Sequence, residues 1–223
     1  IEHPYLKPQA SGKKAVIVVT SNRGLAGGYN ASVIKLITGS DLKPDDLLLY
    51  TVGNKGKEYF QHREYTIAKD YSEVIENPMF SDAKEICEEV LGGYAAGEIS
   101  EIYLAYTYFK NTVVHEPKLL KLLPVEIEEA DIEAAKADSL MNYEPEETEA
   151  LEIIIPKYVT SILYGALVEA IASENGARMQ AMDSATSNAQ DMIDHLTLQY
   201  NRARQGSITQ ELTEIIAGAN AIQ

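Results

Sequence analysis

The first segment that could do chemistry is a glycine-rich loop that follows an apolar run. Gly24, Gly27 and Gly28 come shortly after the apolar residues Ala15–Val19. Glycine lets a backbone approach a phosphate closely, and the N-terminus of a following helix attracts anions. The spacing is neither GxGxxG nor GxxxxGK[ST], and no lysine follows Gly28. We therefore expect a structural turn here rather than a nucleotide site.

Histidine, cysteine and acidic residues form no recognisable catalytic or metal-binding pattern. None of the four histidines lies in HExxH or a similar ligand spacing: His3, His62, His115 and His195. The single Cys87 cannot form an internal disulfide, and apolar neighbours at helical spacing predict a core position. No GxSxG motif or Cys/His arrangement supplies a nucleophile. We expect no catalytic residue, no metal ligand and no cofactor.

A cluster of polar residues interrupts an apolar periodic segment near the C-terminal end. Arg204, Gln205 and Thr209 lie about one helical turn or less apart. Their guanidinium, amide and hydroxyl groups could therefore hydrogen-bond one set of carboxylates on a partner protein. Periodicity alone leaves open a second interpretation, a solvated helix face.

The composition of the chain limits the classes of partner that it is expected to bind. The chain has 223 residues, with 34 acidic and 19 basic side chains and a formal net charge of −15. This sign disfavours broad contact with nucleic acid or anionic lipid, so we expect protein partners. The longest apolar runs fall short of the roughly 20 residues that span a bilayer. The start at Ile1 lacks an initiator methionine and a signal peptide, which suggests a fragment.

Strand and helix patterns alternate between residues 13 and 125, which predicts a Rossmann-like α/β globular domain. We expect the last two of its strands to pair. The predicted strands are Lys13–Thr20, Asp46–Val52, Glu101–Phe109 and Val113–Val125, and the predicted helices include Ala31–Leu36 and Ser81–Tyr94, the latter with Ser81 and Asp82 at its N-cap.

A long helix is predicted after this domain. No proline follows Pro156, and about 67 continuous helical residues would measure about 100 Å. A coiled-coil seam is formed by Met182, Ala185, Ala189, Met192 and Leu196, and a second stripe by Ile208, Leu212, Ile215 and Ala219. Such stripes also occur in helices packed on their own domain. The length favours another helix as partner. The chain thus divides into a tail (1–12), the α/β domain (13–125), an acidic connector (126–155) and the helix (156–223).

Four segments resemble the gamma subunit of the rotary F-type ATP synthase. The most specific is Ile208–Ala221, ITQELTEIIAGANA, which resembles that family's C-terminal signature. The others are Ser173–Ala189 (SENGARMQAMDSATSNA), Tyr143–Pro145 (YEP) and Ser21–Asn30 (SNRGLAGGYN). The resemblance covers essentially the whole chain.

The resemblance implies a non-catalytic central stalk. It would turn inside a ring of alpha and beta subunits and couple proton-driven rotation of a membrane ring to ATP synthesis or hydrolysis. The α/β domain would form a foot with the epsilon subunit on the c-subunit ring, at the cytoplasmic face of a bacterial plasma membrane.

Six residues match positions with roles in that family. Arg204, Gln205, Thr209 and Glu211 match a catch that hydrogen-bonds a loop of a beta subunit. Arg178 matches a contact residue nearer the neck, where the helix leaves the α/β domain. The resemblance implies that Tyr143 would lie on the epsilon and c-ring side.

Two departures accompany the resemblance. The family's long N-terminal helix, which forms an antiparallel coiled coil with the C-terminal one, is missing from this sequence. Gly176 stands where alanine is usual, and glycine costs a helix about 1 kcal/mol. The rival hypothesis is a stand-alone α/β nucleotide-binding protein with a helical interaction arm.

Overall fold

The computed structural model describes residues 4–6, 12–125 and 147–222. They include a five-stranded sheet of order β3-β2-β1-β4-β5, in which β1 to β4 run parallel and β5 is antiparallel to β4. The strands are β1 Lys13–Val19, β2 Leu47–Val52, β3 Ile67–Asp70, β4 Ile99–Phe109 and β5 His115–Leu123. The predicted α/β class is confirmed, and β5 pairs with β4 as expected.

Four helices accompany the sheet: α1 Tyr29–Thr38, α2 Asn54–Gln61, α3 Phe80–Ala95 and α4 Glu147–Asn220. Three short 3₁₀ turns, Pro4–Leu6, Pro44–Asp46 and Val74–Glu76, complete the described elements. The helices cover both faces of the sheet, which explains why β1 is apolar along most of its length. Val16 and Val18 of β1 pack with α1 and α2 on one face, whereas Ile17 and Val19 pack with α3 and α4 on the other.

The start of α3 differs from the prediction. Its N-cap is Met79 rather than Ser81, and the carboxylate of Asp82 accepts a hydrogen bond from the Met79 N–H at 2.8 Å. Asp82 therefore acts from the third helical position, where an acid reaches back to the cap residue. The predicted core position of Cys87 is confirmed, and burial raises the pKa of its thiol to about 11.

Helix α4 begins at Glu147, before the proline from which the sequence predicted a continuous helix, and Pro156 lies inside it. Proline removes one helical hydrogen bond. Neighbouring apolar side chains offset this loss, because Ile155, Val159 and Leu163 are buried against the α/β core.

One 18-residue window of α4 has a mean hydropathy of 1.5, enough by length and composition to cross a membrane, and 33% of that window is buried in the protein. The uninterrupted apolar runs of the sequence predicted no such segment. The window mean is high all the same, because small and hydroxyl residues between the apolar ones lower the mean hydropathy only slightly. The buried share packs on the sheet of the same chain.

The chain divides into two compact units, residues 1–180 and 181–223. The first contains the sheet, α1 to α3 and the first part of α4. The described residues of the second are the rest of α4 and the two residues after it, and their apolar side chains are exposed. Leu196 is 55% exposed and Ile215 is 68% exposed.

Candidate protein-interaction site

The glycine-rich loop between β1 and α1 is held by its own polar side chains. The Ser21 N–H donates to Asn30 Oδ1 at 2.9 Å, and Asn30 Nδ2 donates to Ser21 Oγ at 2.8 Å. The Ser21 hydroxyl in turn donates to the Arg23 carbonyl at 2.6 Å. At the tip, Leu25 has a φ of +63° and is 76% exposed. The loop therefore has a defined shape with an apolar side chain facing outward.

Asn22 fixes the same loop to its neighbours. Its Oδ1 accepts a hydrogen bond from the Asn54 N–H at 2.9 Å, and its Nδ2 donates to the Ser72 carbonyl at 2.9 Å. These bonds connect the loop after β1 to the start of α2 and to the loop after β3. In the sequence, Asn22 is one residue of the motif SNRGLAGGYN, and nothing in that motif indicates this bridging role.

Helix α4 fills the place where doubly wound α/β proteins usually bind ligands. That place is the crevice at the carboxyl ends of the strands where the strand order reverses, here between β1 and β4. The Tyr29 hydroxyl at the start of α1 donates to the Ala170 carbonyl at 3.1 Å. The Ser173 hydroxyl donates to the Thr107 carbonyl of β4 at 3.3 Å. Ala170 and Ser173 are fully buried, so α4 leaves little room for a nucleotide.

Arg178 lies beside this crevice and contacts the glycine-rich loop. Its guanidinium donates to Glu174 Oε1 at 2.6 Å and to the Gly24 carbonyl at 3.4 Å. The Arg178 side chain is 26% exposed. Glu174 was not among the predicted site residues, although its spacing of four from Arg178 is the helical signal for an ion pair.

A polar cavity of about 310 Å³ adjoins Arg178. The polar side chains lining it are Asn22, Arg23, Glu76, Glu174, Asn175 and Arg178. Both signs of charge are present, so the cavity suits hydrogen-bonding side chains of a protein better than a multiply charged phosphate.

The predicted catch residues all lie on the exposed part of α4 in the second unit. Gln205 and Thr209 line one groove of about 600 Å³, together with Arg202, Gly206, Gln210, Thr213 and Glu214. Arg204 and Glu211 do not line it. With about 100° per residue, Arg204 and Glu211 lie within roughly 20° of each other and about a third of a turn from Gln205 and Thr209. The helix thus presents these four residues as two adjacent polar faces rather than one.

Tyr143 lies outside the described residues. Among residues 4–6, 12–125 and 147–222, no group of three or more His, Cys, Asp and Glu side chains could hold a metal ion.

Comparison with known proteins shows which class of protein the chain belongs to. The sequence model of the ATP synthase family matches residues 1–222. Two solved structures share the fold, at 16% and 24% sequence identity. The OSCP/F1/c-ring structure of the Euglena gracilis mitochondrial ATP synthase has a TM-score of 0.72 and covers 98% of this chain and 78% of that one. The central stalk/c-ring of the Tetrahymena thermophila mitochondrial enzyme has a TM-score of 0.60 and covers 82% of both chains. The chain is thus an ATP synthase protein.

Curated relatives identify the family more narrowly. The ATP synthase gamma chain of Lachnoclostridium phytofermentans is 63% identical over 228 residues, covering 100% of this chain and 78% of the relative. The sodium ion specific ATP synthase gamma chain of Acetobacterium woodii is 43% identical, covering 94% of this chain and 75% of the relative. The chain belongs to the ATP synthase gamma chain family, whose members are subunits of a membrane-associated complex.

Proposed function

We propose that this chain is the rotor shaft of an F-type ATP synthase and has no catalytic site of its own. The observation that carries the proposal is the continuity of α4 from Glu147 to Asn220. One part of this helix is buried on the sheet through Leu163, Leu167 and Ala170, whereas the part from residue 182 onward is largely exposed. A continuous helix resists twisting and bending, so rotation of the α/β domain would reach the exposed part.

The exposed part of α4 would act by differential contact. Its side chains differ around and along the helix, so each angle of rotation presents a different surface to each surrounding subunit. A subunit whose conformations bind that surface unequally changes its conformational equilibrium, and reciprocally the equilibrium changes the preferred angle. This is how a subunit without catalytic residues would control nucleotide sites on its partners.

The catch is proposed on the two polar faces of α4. Gln205 and Thr209 would hydrogen-bond a beta-subunit loop from the groove that they line, and Arg204 with Glu211 would engage it from the adjacent face. Arg178 would make the corresponding contact near the neck. Its bonds to Glu174 and Gly24 support this role, because they hold the guanidinium at a defined position beside a polar cavity.

The remaining partners follow from the family. We place the α/β domain against the epsilon subunit and the c-subunit ring, with Tyr143 on that side, and the complex at the cytoplasmic face of a bacterial plasma membrane. Protons are the proposed coupling ion. The sodium-specific relative at 43% identity makes sodium the second candidate. ATP-driven acidification of inverted vesicles that is independent of sodium would support protons, and strict dependence of ATP hydrolysis on sodium would support the alternative.

Purification distinguishes the rotor proposal from an independent nucleotide-binding protein. We expect a tagged chain to copurify with alpha, beta and epsilon subunits and to bind no ATP by itself in a titration. The filled crevice between β1 and β4 is the structural reason for the second expectation. Tight ATP binding by the isolated chain, without copurifying alpha and beta subunits, would contradict the proposal.

A further inference from the structure

One face of α4 lies along the end of the β4–β5 hairpin, residues 107–115. Glu169, Ser173 and Gly176 follow each other at spacings of four and three, which places them on one side of the helix. Burial raises the pKa of the Glu169 carboxyl, and the nearby Phe109 backbone offsets part of this rise. The Ser173 hydroxyl donates to the Thr107 carbonyl at 3.3 Å. The third position, Gly176, contacts the hairpin through its backbone alone.

The hairpin comes so close to Gly176 that a larger residue would force atoms of the hairpin to shift. A Cβ placed on Gly176 would lie 2.7 Å from His115 Cε1, 3.0 Å from His115 Nε2 and 3.1 Å from the Thr112 carbonyl oxygen. Such separations are well below van der Waals contact. The glycine therefore has a packing reason that outweighs its unfavourable helix propensity.

His115 is itself confined. It is the register partner of Phe109 across the hairpin, and the centroids of the two rings are 5.9 Å apart with a tilt of 32°. Both ring nitrogens are buried and have no hydrogen-bond partner within the described part of the chain. The imidazole is thus held by packing between the Phe109 ring and the backbone of α4. Its size limits how closely α4 can approach the hairpin.

We propose that His115 and Gly176 form a size-matched positioning pair that sets how deeply α4 lies against the hairpin. The inference rests on the proposed rotor function for its consequence, because the depth of this contact determines how firmly the α/β domain holds the helix it would turn. The packing part of the inference stands independently of that function.

Two glycine-to-alanine substitutions in α4 test the packing part, because they should change the thermal unfolding midpoint in opposite directions. Gly165 is exposed on the same helix, and a Cβ there would meet no described atom within 4 Å. Alanine has a higher helix propensity than glycine, so Gly165→Ala should raise the thermal unfolding midpoint of the purified chain. Gly176→Ala should lower the midpoint instead, because the clash with His115 and Thr112 exceeds the propensity gain.

A double variant tests the pairing. Gly176→Ala combined with His115→Ala removes the imidazole that the new methyl group would meet, so its midpoint should lie above the value expected from adding the two single changes. In the complex assembled around this chain, Gly176→Ala should lower the ions pumped per ATP hydrolysed by about twofold or more. The double variant should recover most of that ratio, and Gly165→Ala should leave it unchanged.

Two results would overturn the positioning pair. One is a Gly176→Ala variant that is stabilised as much as Gly165→Ala, and the other is a double variant with no recovery in midpoint or pumping ratio. If the rotor function itself is wrong, the unaltered chain forms no pumping complex at all. The unfolding measurements on the chain still decide the packing part in that case.

Discussion

The phenolic hydroxyl of Tyr29 donates a hydrogen bond to the carbonyl oxygen of Ala170, at 3.1 Å, and so joins α1 to α4 across 141 residues of sequence. Both residues are buried. Burial is the largest cause that raises the pKa of Tyr29, with the Glu174 carboxylate second, so the hydroxyl stays protonated and can donate throughout the neutral range. This bond helps to hold the long helix in the crevice of the sheet.

Replacing Tyr29 by phenylalanine removes that hydroxyl and keeps the ring. We expect the free energy of unfolding to fall by about 1 kcal/mol, the net worth of one buried hydrogen bond. Urea unfolding of the purified chain measures the change. Tyr158→Phe is the matched control, since Tyr158 is 56% exposed, and it should change stability little. Equal effects of the two variants would contradict the assigned role of Tyr29.

Gly53 lies between β2 and α2 with a φ of +108°. A Cβ there would come 2.1 Å from the Thr20 carbonyl oxygen, so Gly53→Ala combines a clash with backbone strain. We expect a loss of at least about 3 kcal/mol in unfolding free energy. Gly92→Ala, at an exposed position inside α3 with open space around it, should instead stabilise by about 0.5–1 kcal/mol. Thermal unfolding distinguishes the two, and a stable Gly53→Ala chain would refute the close approach.

The contribution of the Asp70 carboxylate to the stability of the fold should depend on pH. Burial alone would raise its pKa, but hydrogen bonds from Lys57, Ser72 and Thr51 outweigh burial and lower the pKa below its ordinary 3.8. The ionised form is therefore favoured in the folded state. Its stabilisation is fully present above the unfolded pKa and is lost as pH falls through the folded pKa.

The measurement is the stability difference between the unaltered chain and Asp70→Asn. We expect about 1.5 kcal/mol between pH 5 and 7, shrinking only as pH falls below about 4. Asp41→Asn, at an exposed aspartate, should show a small difference at each pH. A difference for Asp70→Asn that persists undiminished to pH 3 would show that the charge is not responsible.

Sequence patterns predicted the main elements of the fold for identifiable reasons. Ala15–Val19 is fully apolar because helices cover both faces of the sheet, and such a run is hard to mistake. Strand β3 was missed because it has only four residues, Ile67–Asp70, of which the middle two are exposed. The filling of the crevice by Ala170 and Ser173 depends on contacts far apart in sequence, which periodicity does not encode.

The candidate site was predictable only through motifs. The resemblance selected Arg178, but the partners Glu174 and Gly24 emerged from the structure. For the four catch residues, spacing along the helix already implies two faces. The close approach of His115 to Gly176 explains a departure from the family pattern that looked unfavourable from helix propensity alone.

The catch residues should affect turnover and leave the fold unchanged. Arg204→Ala and Gln205→Ala should each lower ATP turnover of the assembled complex about tenfold or more, because a hydrogen bond to a charged partner contributes about 1.5–3 kcal/mol. Both side chains are exposed, so thermal unfolding of the chain should not change. Asp191→Ala, exposed on the same helix outside the catch, is the control. Unchanged turnover in both catch variants would remove their assigned role.

Rotation of the chain itself tests the central claim most directly. A cysteine introduced as Lys35→Cys, exposed on α1, can carry a probe, since the natural Cys87 is buried with a raised thiol pKa and reacts slowly. With the alpha and beta subunits fixed to a surface, we predict continuous rotation of the probe in one direction when ATP is added, and none without it. A probe that stays still while the same complexes hydrolyse ATP would contradict the rotor function.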